Sequence, residues 1–162
     1  MITCHQIERS NPDHAKASEL NQIVDTVTLD ETDRHRRRLM LTSDTGIEFL
    51  LELESVTLLK HNDILRLSDG RGIRVQARPE ALYEIRGDNA NHLLKLTWHV
   101  GNRHLAAEIM HDHLRIRRDP VIKVMLEQLG ATVMDIQDGF NPEGGAYGNA
   151  HSSHTHHAHT HG

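Results

Sequence analysis

The chain has 162 residues, which suits one ordinary domain or two small ones. With 37% hydrophobic and 3% aromatic residues, a core must consist mostly of leucine, isoleucine and valine. The net charge of −5 argues against nucleic-acid binding, and the lack of a run of 18 apolar residues argues against a membrane span. The single cysteine, Cys4, argues against a disulfide framework. We therefore expect a reduced, cytoplasmic protein without nucleic-acid or membrane partners.

The first half of the chain has the pattern of β-strands. Residues 22–29 are rich in β-branched side chains, and 36–43 and 46–53 flank a turn signal, DTG. Residues 61–78 predict two short strands around the sequence SDGRG. The charge run DRHRRR (33–38) is typical of a solvated edge or loop, and a binding patch for an acidic partner is the alternative.

The second half, after Pro79, alternates strands with helices. Residues 81–86 predict a strand, and 89–100 predict a helix that ends at Gly101. The apolar residues at helical spacing are Leu93, Leu96, Trp98 and Val100.

Two short strands are predicted next, at 104–110 and 113–117, before a second helix with clear end signals. Asp119 is a good N-cap, Pro120 suits the first helical position and Gly130 ends the helix. The apolar face is predicted to contain Val121, Val124, Met125 and Leu129.

A last strand at 131–137 completes the order β-α-β-β-α-β, which is the ferredoxin-like pattern. The helices should bury their apolar stripes against one face of a four-stranded sheet. We therefore predict an α+β protein with an all-β domain over 1–78, a ferredoxin-like domain over 79–148 and a disordered histidine-rich tail over 149–162.

The tail ends in HSSHTHHAHTHG and has no large apolar residue to bury, so we expect it to be mobile without metal. Imidazole suits Ni²⁺, Cu²⁺ and Zn²⁺, and a flexible chain can wrap such ions in several registers with modest selectivity. A purification tag is the alternative, but the interleaved Ser, Thr and Ala favour a native metal-binding tail. The candidate ligands are His151, His154, His156, His157, His159 and His161.

His104 follows the first long helix in the sequence GNRH, at a corner between helix and strand. A lone histidine there is usually structural, for example as a cationic cap of the helix C-terminus. One imidazole cannot hold a metal ion, whereas a symmetric dimer doubles every ligand.

The motifs HVGNRHLAAEI (99–109), VMLEQLGATV (124–133) and FNPEGGAYG (140–148), followed by a histidine-rich end, closely resemble the urease accessory nickel chaperone (UreE) family. Residues 34–53 and 59–67 resemble the N-terminal β-domain of that family. The resemblance covers nearly the whole chain, and the combination of GNRH, Gly-Ala-Tyr and a histidine tail is specific.

The resemblance implies that the β-domain contacts protein partners and that the ferredoxin-like domain dimerises and holds nickel. It implies that His104 is the essential interface ligand, with two copies sharing an ion and tail histidines completing its coordination. The implied role is non-enzymatic: the protein binds Ni²⁺, for which Zn²⁺ or Cu²⁺ can compete, and delivers it to apo-urease. The implied partners are a second copy of the chain, the urease accessory GTPase and the apo-urease assembly complex.

The sequence departs from the family where some members have further histidines just before the second helix. Arg118 and Pro120 stand there instead, so that extra site is not expected. His111 and His113 are the alternative ligands, because H-x-H spacing on a strand points both side chains to one face. The same spacing also fits a tight turn.

Two other functions remain open from the residues alone. A metal buffer without a dedicated client would need only the tail. A metal-dependent hydrolase would need a general base, and Glu108 would share a face with His104 on a strand that begins there.

Overall fold

The computed structural model describes residues 1–9 and 22–144, which form two β-sheets and three helices. The predicted α+β class, with an all-β first half and a ferredoxin-like second half, is confirmed. The boundaries at 78/79 and 148/149 stay a prediction, and the tail from 149 lies outside the described residues. In the part of the chain that is described, no helix has the length and apolar character needed to cross a bilayer.

The first sheet has six strands within the described residues. They are β1 (Thr3–Glu8), β2 (Ile23–Leu29), β3 (His35–Thr42), β4 (Glu48–Leu58), β5 (Ile64–Leu67) and β6 (Gly72–Ala77). Their order is β2-β6-β5-β1-β4-β3. β1 lies near the centre, parallel to β4 and antiparallel to β5, yet the sequence pattern did not predict it. The reason is its weak alternation, since Cys4 is its one buried residue.

The core under this sheet is aliphatic, as the composition predicted. Cys4 is completely buried in it, and burial raises the pKa of its thiol. The other core residues are Val27, Leu41, Phe49, Leu51, Leu53, Leu59, Leu65, Leu67, Ile73 and Val75.

A short helix that the sequence did not predict, α1 (Glu31–Arg34), connects β2 to β3. The side chain of Asp30 caps it by accepting the Asp33 N–H at 2.8 Å. Residues 35–38 of the charge run lie exposed on β3 as predicted, and Asp33 is half-buried in α1. Arg34 is completely buried, so the solvated interpretation is wrong for that residue. Its guanidinium has acceptors from segments far away in sequence, which no local pattern reveals.

The second sheet has the ferredoxin-like strand order. Its strands are β7 (Glu80–Arg86), β8 (Glu108–Ile109), β9 (Leu114–Arg117) and β10 (Thr132–Asp138), with α2 (Ala90–Asn102) and α3 (Pro120–Gln128) between them. The order is β10-β7-β9-β8, and every pairing is antiparallel. β8 is much shorter than the predicted strand at 104–110, because the backbone before it forms the turn that ends α2.

The inward face of α2 is narrower than predicted. Leu96 and Val100 are buried, with Leu93 partly buried beside them. Trp98 is 62% exposed, so its predicted place on the buried face is wrong. It lies two residues after Leu96, which turns it away from the sheet on a helix of 3.6 residues per turn.

The inward face of α3 is also shifted from the prediction. Leu126 is buried, and Ile122 and Met125 pack partly against the same core. Of the residues predicted to be buried, only Met125 faces inward. The exposed ones are Val121, Val124 and Leu129.

Candidate metal site

His104 holds the residue position just after the C-cap of α2, with a left-handed backbone at φ 57°. Its N–H donates to the Gly101 carbonyl at 3.0 Å, and the Leu105 N–H donates to the Val100 carbonyl at 3.4 Å. These two bonds define a Schellman motif. The predicted end of the helix at Gly101 is therefore wrong, since the helix continues to Asn102.

The other ferredoxin helix, α3, ends in the same motif. Gly130 has a φ of 86°, its N–H donates to Glu127, and the Ala131 N–H donates to Leu126, both at 3.0 Å. Glycine adopts this conformation freely, whereas a residue with a Cβ is strained there by roughly 1–2 kcal/mol. His104 is therefore a histidine in a position that favours glycine.

The imidazole of His104 is exposed, and the backbone on both sides of it is held by neighbouring structure. The ring has no hydrogen bond or ion pair with any residue in 1–9 or 22–144. Helix α2 fixes the backbone before it, while Leu105 and Ala107 pack against the ferredoxin core after it. Both ring nitrogens are thus open to a ligand from outside the described part of this chain.

Several other imidazoles already have structural partners. Nδ1 of His5 donates to a backbone carbonyl at 2.9 Å, and Nδ1 of His61 accepts a backbone N–H at 3.2 Å. His92 connects two elements, because Nδ1 accepts the Asp88 N–H at 2.9 Å while Nε2 donates to the Leu129 carbonyl at 2.8 Å. These rings stabilise the fold.

His111 and His113 lie in the turn between β8 and β9. The turn closes through the Met110 N–H and the His113 carbonyl at 2.9 Å, so the strand interpretation of H-x-H is wrong and the turn alternative is right. His113 Nδ1 lies 2.6 Å from a carboxylate oxygen of Asp112, and its Nε2 lies 4.0 Å from that of Glu84. His111 is exposed.

Glu108 does not stand beside His104 on a strand face, because residue 104 lies in the helix-ending turn. Glu108 is 7% exposed, and its carboxylate accepts the Asn141 N–H at 2.9 Å. The hydrolase alternative required Glu108 and His104 to share one strand face, and that prediction is wrong.

His104 has no complete ligand set around it in the described residues. Nowhere in 1–9 and 22–144 do three His, Cys, Asp or Glu side chains converge to hold a metal ion. A metal ion at His104 would therefore need further ligands from outside these residues. The predicted tail ligands His151, His154, His156, His157, His159 and His161 lie outside the described residues.

An apolar stripe on α2 leads towards His104. Leu94 is 68% exposed and Trp98 62%, and the two are one helical turn apart. Gly101 follows along the same face with open space beside it. The stripe was missed by the sequence reasoning, although the spacing of Leu94, Trp98 and Gly101 at i, i+4 and i+7 carried the signal.

Comparison with known proteins identifies the family of the chain. The model of the UreE urease accessory protein C-terminal domain matches residues 80–162, and that of the N-terminal domain matches 7–78. The chain belongs to the UreE family of urease accessory proteins.

Individual members of the UreE family cover most of the chain. The urease accessory protein UreE of Chelativorans sp. (strain BNC1) is 58% identical over 146 residues, which are 89% of this chain and 92% of that protein. UreE of Bradyrhizobium sp. (strain ORS 278) is 54% identical over 82% of this chain and 62% of its own length. UreE of Brucella abortus biovar 1 (strain 9-941) is 46% identical over 81% of this chain and 80% of its own length.

Proposed function

We propose that this UreE protein is a metallochaperone that binds Ni²⁺ and delivers it to apo-urease during assembly of the metal centre. The observation that carries the proposal is the exposed imidazole of His104 at a left-handed backbone position. Strain of this kind is typical of functional positions, because the surrounding structure must compensate for it. The choice of nickel rests on membership of a family of urease accessory proteins.

The proposed site is shared by two copies of the chain. A two-fold axis beside α2 would pair two His104 rings on one ion and bury the stripe of Leu94 and Trp98. Burying large apolar side chains of this kind is the main source of stability in homodimers. The dimer therefore explains both the incomplete ligand set and the exposed stripe.

The transfer step is ligand exchange, and no covalent bond in a substrate is made or broken. Tail histidines capture Ni²⁺, the His104 pair presents it, and a partner with a better ligand set removes it. Zn²⁺ and Cu²⁺ compete for the same imidazoles. The proposed partners are the urease accessory GTPase and the apo-urease assembly complex, in the cytoplasm.

The test is nickel calorimetry on three proteins: the full chain, a chain ending at residue 150, and that shorter chain with His104→Gly. Glycine keeps the left-handed turn, so a loss of binding cannot be attributed to unfolding. We expect several sites in the full chain, about one per dimer in the shorter chain and nearly none in its His104→Gly variant. If the shorter chain binds nickel equally well with and without His104→Gly, the proposal is refuted. The remaining explanation is then a metal buffer that acts through the tail.

A further inference from the structure

The chain crosses the ferredoxin sheet after its last strand. β10 is one edge of that sheet and β8 is the other, three strand spacings or about 14 Å away. The crossing segment, defined here as 139–143, spans this distance. It ends beside β8, where the Glu143 N–H donates to the Ala107 carbonyl at 2.7 Å.

The crossing segment is tightly packed. Phe140 is completely buried, and the guanidinium of Arg117 lies 4.9 Å from the centre of its ring. A Cβ on Gly139 would come within 2.8 Å of Ala77, so the start of the segment lies directly against the end of β6.

Arg34, the last residue of α1, forms hydrogen bonds with the middle of the crossing segment. Its Nη2 donates to the Phe140 carbonyl, and its Nη1 donates to Asn141 Oδ1 at 2.8 Å. The same side chain donates to the carbonyls of Leu29 at 3.2 Å and Leu59 at 3.0 Å. One buried cation therefore joins the first sheet to the segment that leads into the tail.

Carboxylates compensate the buried charge of Arg34. Burial lowers the pKa of its guanidinium, while the charges of Glu80 and Glu31, with those of Asp30 and Glu108, oppose that change. Glu108 also contacts the crossing segment directly, since its carboxylate accepts the Asn141 N–H.

This crossing sets where the tether that leads to the tail begins relative to His104. Ala107 is three residues after His104, so their Cα atoms are at most about 11 Å apart. His151 follows Glu143 by eight residues, a reach of up to about 28 Å. Without the crossing, the tether would start at Asp138, thirteen residues before His151 and at the far edge of the sheet.

We propose that Arg34 is a positioning residue for nickel capture, which holds the crossing segment so that the tether to the tail leaves from the edge of the sheet nearest His104. This inference rests on the proposed function. It makes a residue of the N-terminal half of the chain a determinant of metal binding.

The test compares the nickel affinity of the full chain with that of a chain ending at residue 150, with and without Arg34→Met. With Arg34 in place, the full chain is expected to bind nickel more tightly at the His104 site than the chain ending at residue 150. Arg34→Met should reduce that gain roughly fourfold, because the tether lengthens and its start moves to the far edge. The shorter chain should bind nickel equally well with either residue, which a general loss of structure would not allow.

Two further variants keep the test decisive. Arg34→Met leaves buried carbonyls without a donor and lowers stability, so Asn141→Ala, which removes a single acceptor, is the milder variant. It should reduce the tail-dependent gain in the same direction and speed amide hydrogen exchange at Glu143. Arg37→Met is the matched control, because Arg37 is an exposed arginine of the same charge run, and it should change neither quantity.

The outcomes separate the two proposals. A tail that adds nothing to nickel affinity in the unsubstituted chain overturns both this inference and the role of the tail in the proposed function. A tail-dependent gain that survives intact in Arg34→Met and Asn141→Ala overturns this inference alone.

Discussion

His104 and Gly130 occupy the same position of the same helix-ending motif, and only Gly130 is the residue that this backbone favours. Both helices pack in the core of the same sheet, so α3 is an internal reference for α2. The difference indicates that the side chain of residue 104 serves something other than the stability of this turn.

Replacing His104 with glycine is expected to stabilise the fold while removing nickel binding. The relief of left-handed strain should raise the free energy of unfolding by about 0.5–1 kcal/mol, and urea denaturation measures it. Calorimetry on the chain ending at residue 150 should show nickel binding lost. A variant that is less stable than the parent would contradict the strain that we assign to this position.

The reciprocal change in α3 is expected to have the opposite effect. Gly130→Ala should lower the free energy of unfolding by about 1 kcal/mol, because it introduces the same strain. It should leave nickel affinity unchanged, since residue 130 ends the other helix. Urea denaturation and calorimetry are the measurements, and equal stability of Gly130→Ala and the parent would count against the comparison.

A charge on the exposed stripe of α2 is expected to break the proposed dimer. Trp98→Glu places a carboxylate in the centre of the stripe, where pairing with a second copy would have to bury it without a partner. Sedimentation velocity should show a monomer, and the shorter chain should lose its shared nickel site. Met134→Glu is the matched control, as Met134 is 53% exposed on β10, and it should remain dimeric.

The sequence predicted the order of elements in the ferredoxin part because its helices have strong end signals. Asp119, Pro120 and Gly130 all act as predicted, with the Asp119 side chain accepting the Val121 N–H at 2.9 Å. It did not predict β1, whose identity depends on pairing with strands far along the chain. Local periodicity cannot supply such pairings.

The candidate site was predictable only in part. The GNRH motif singled out His104 as a candidate ligand. Because the helix was expected to end at Gly101, the left-handed backbone at residue 104 was not predicted. Both helices have apolar residues on two sides, and the sequence reasoning placed four exposed ones on the buried faces, namely Trp98, Val121, Val124 and Leu129. The role of Arg34 was beyond prediction, because its acceptors Phe140 and Asn141 are more than 100 residues away in sequence.

His113 is expected to contribute to stability and not to nickel binding. Hydrogen bonds from His113 and Arg86 lower the pKa of Asp112 to about 2, so this carboxylate stays charged and holds Nδ1 of the ring. His113→Ala should therefore lower the thermal midpoint and leave the nickel affinity of the shorter chain unchanged. His111→Ala serves as the control with an exposed side chain, and a tenfold loss of affinity in either variant would make the turn part of the site.

Asp25 is expected to make the stability of the first sheet fall at acidic pH. Its Oδ2 accepts the Thr45 hydroxyl at 2.5 Å and the Thr45 N–H at 3.1 Å, and its Oδ1 accepts the Thr26 N–H at 2.8 Å. Burial raises the pKa of Asp25, but hydrogen bonds from Ser43, Thr45 and Thr26 outweigh it and bring the pKa down to about 2. The carboxylate thus remains charged in the folded protein where an unfolded chain would protonate it.

Because the folded pKa of Asp25 is below the unfolded one, its contribution is fully present above about pH 4 and is lost as the pH falls towards 2. Asp25→Asn should lower the free energy of unfolding at pH 7 and flatten its decline between pH 4 and pH 2, as followed by urea denaturation at each pH. Asp135→Asn is the control, since that carboxylate is 58% exposed and lies 3.9 Å from its nearest cation. An acid profile of Asp25→Asn that runs parallel to that of the parent would show that the hydrogen bonds to Asp25 do not favour its charged form.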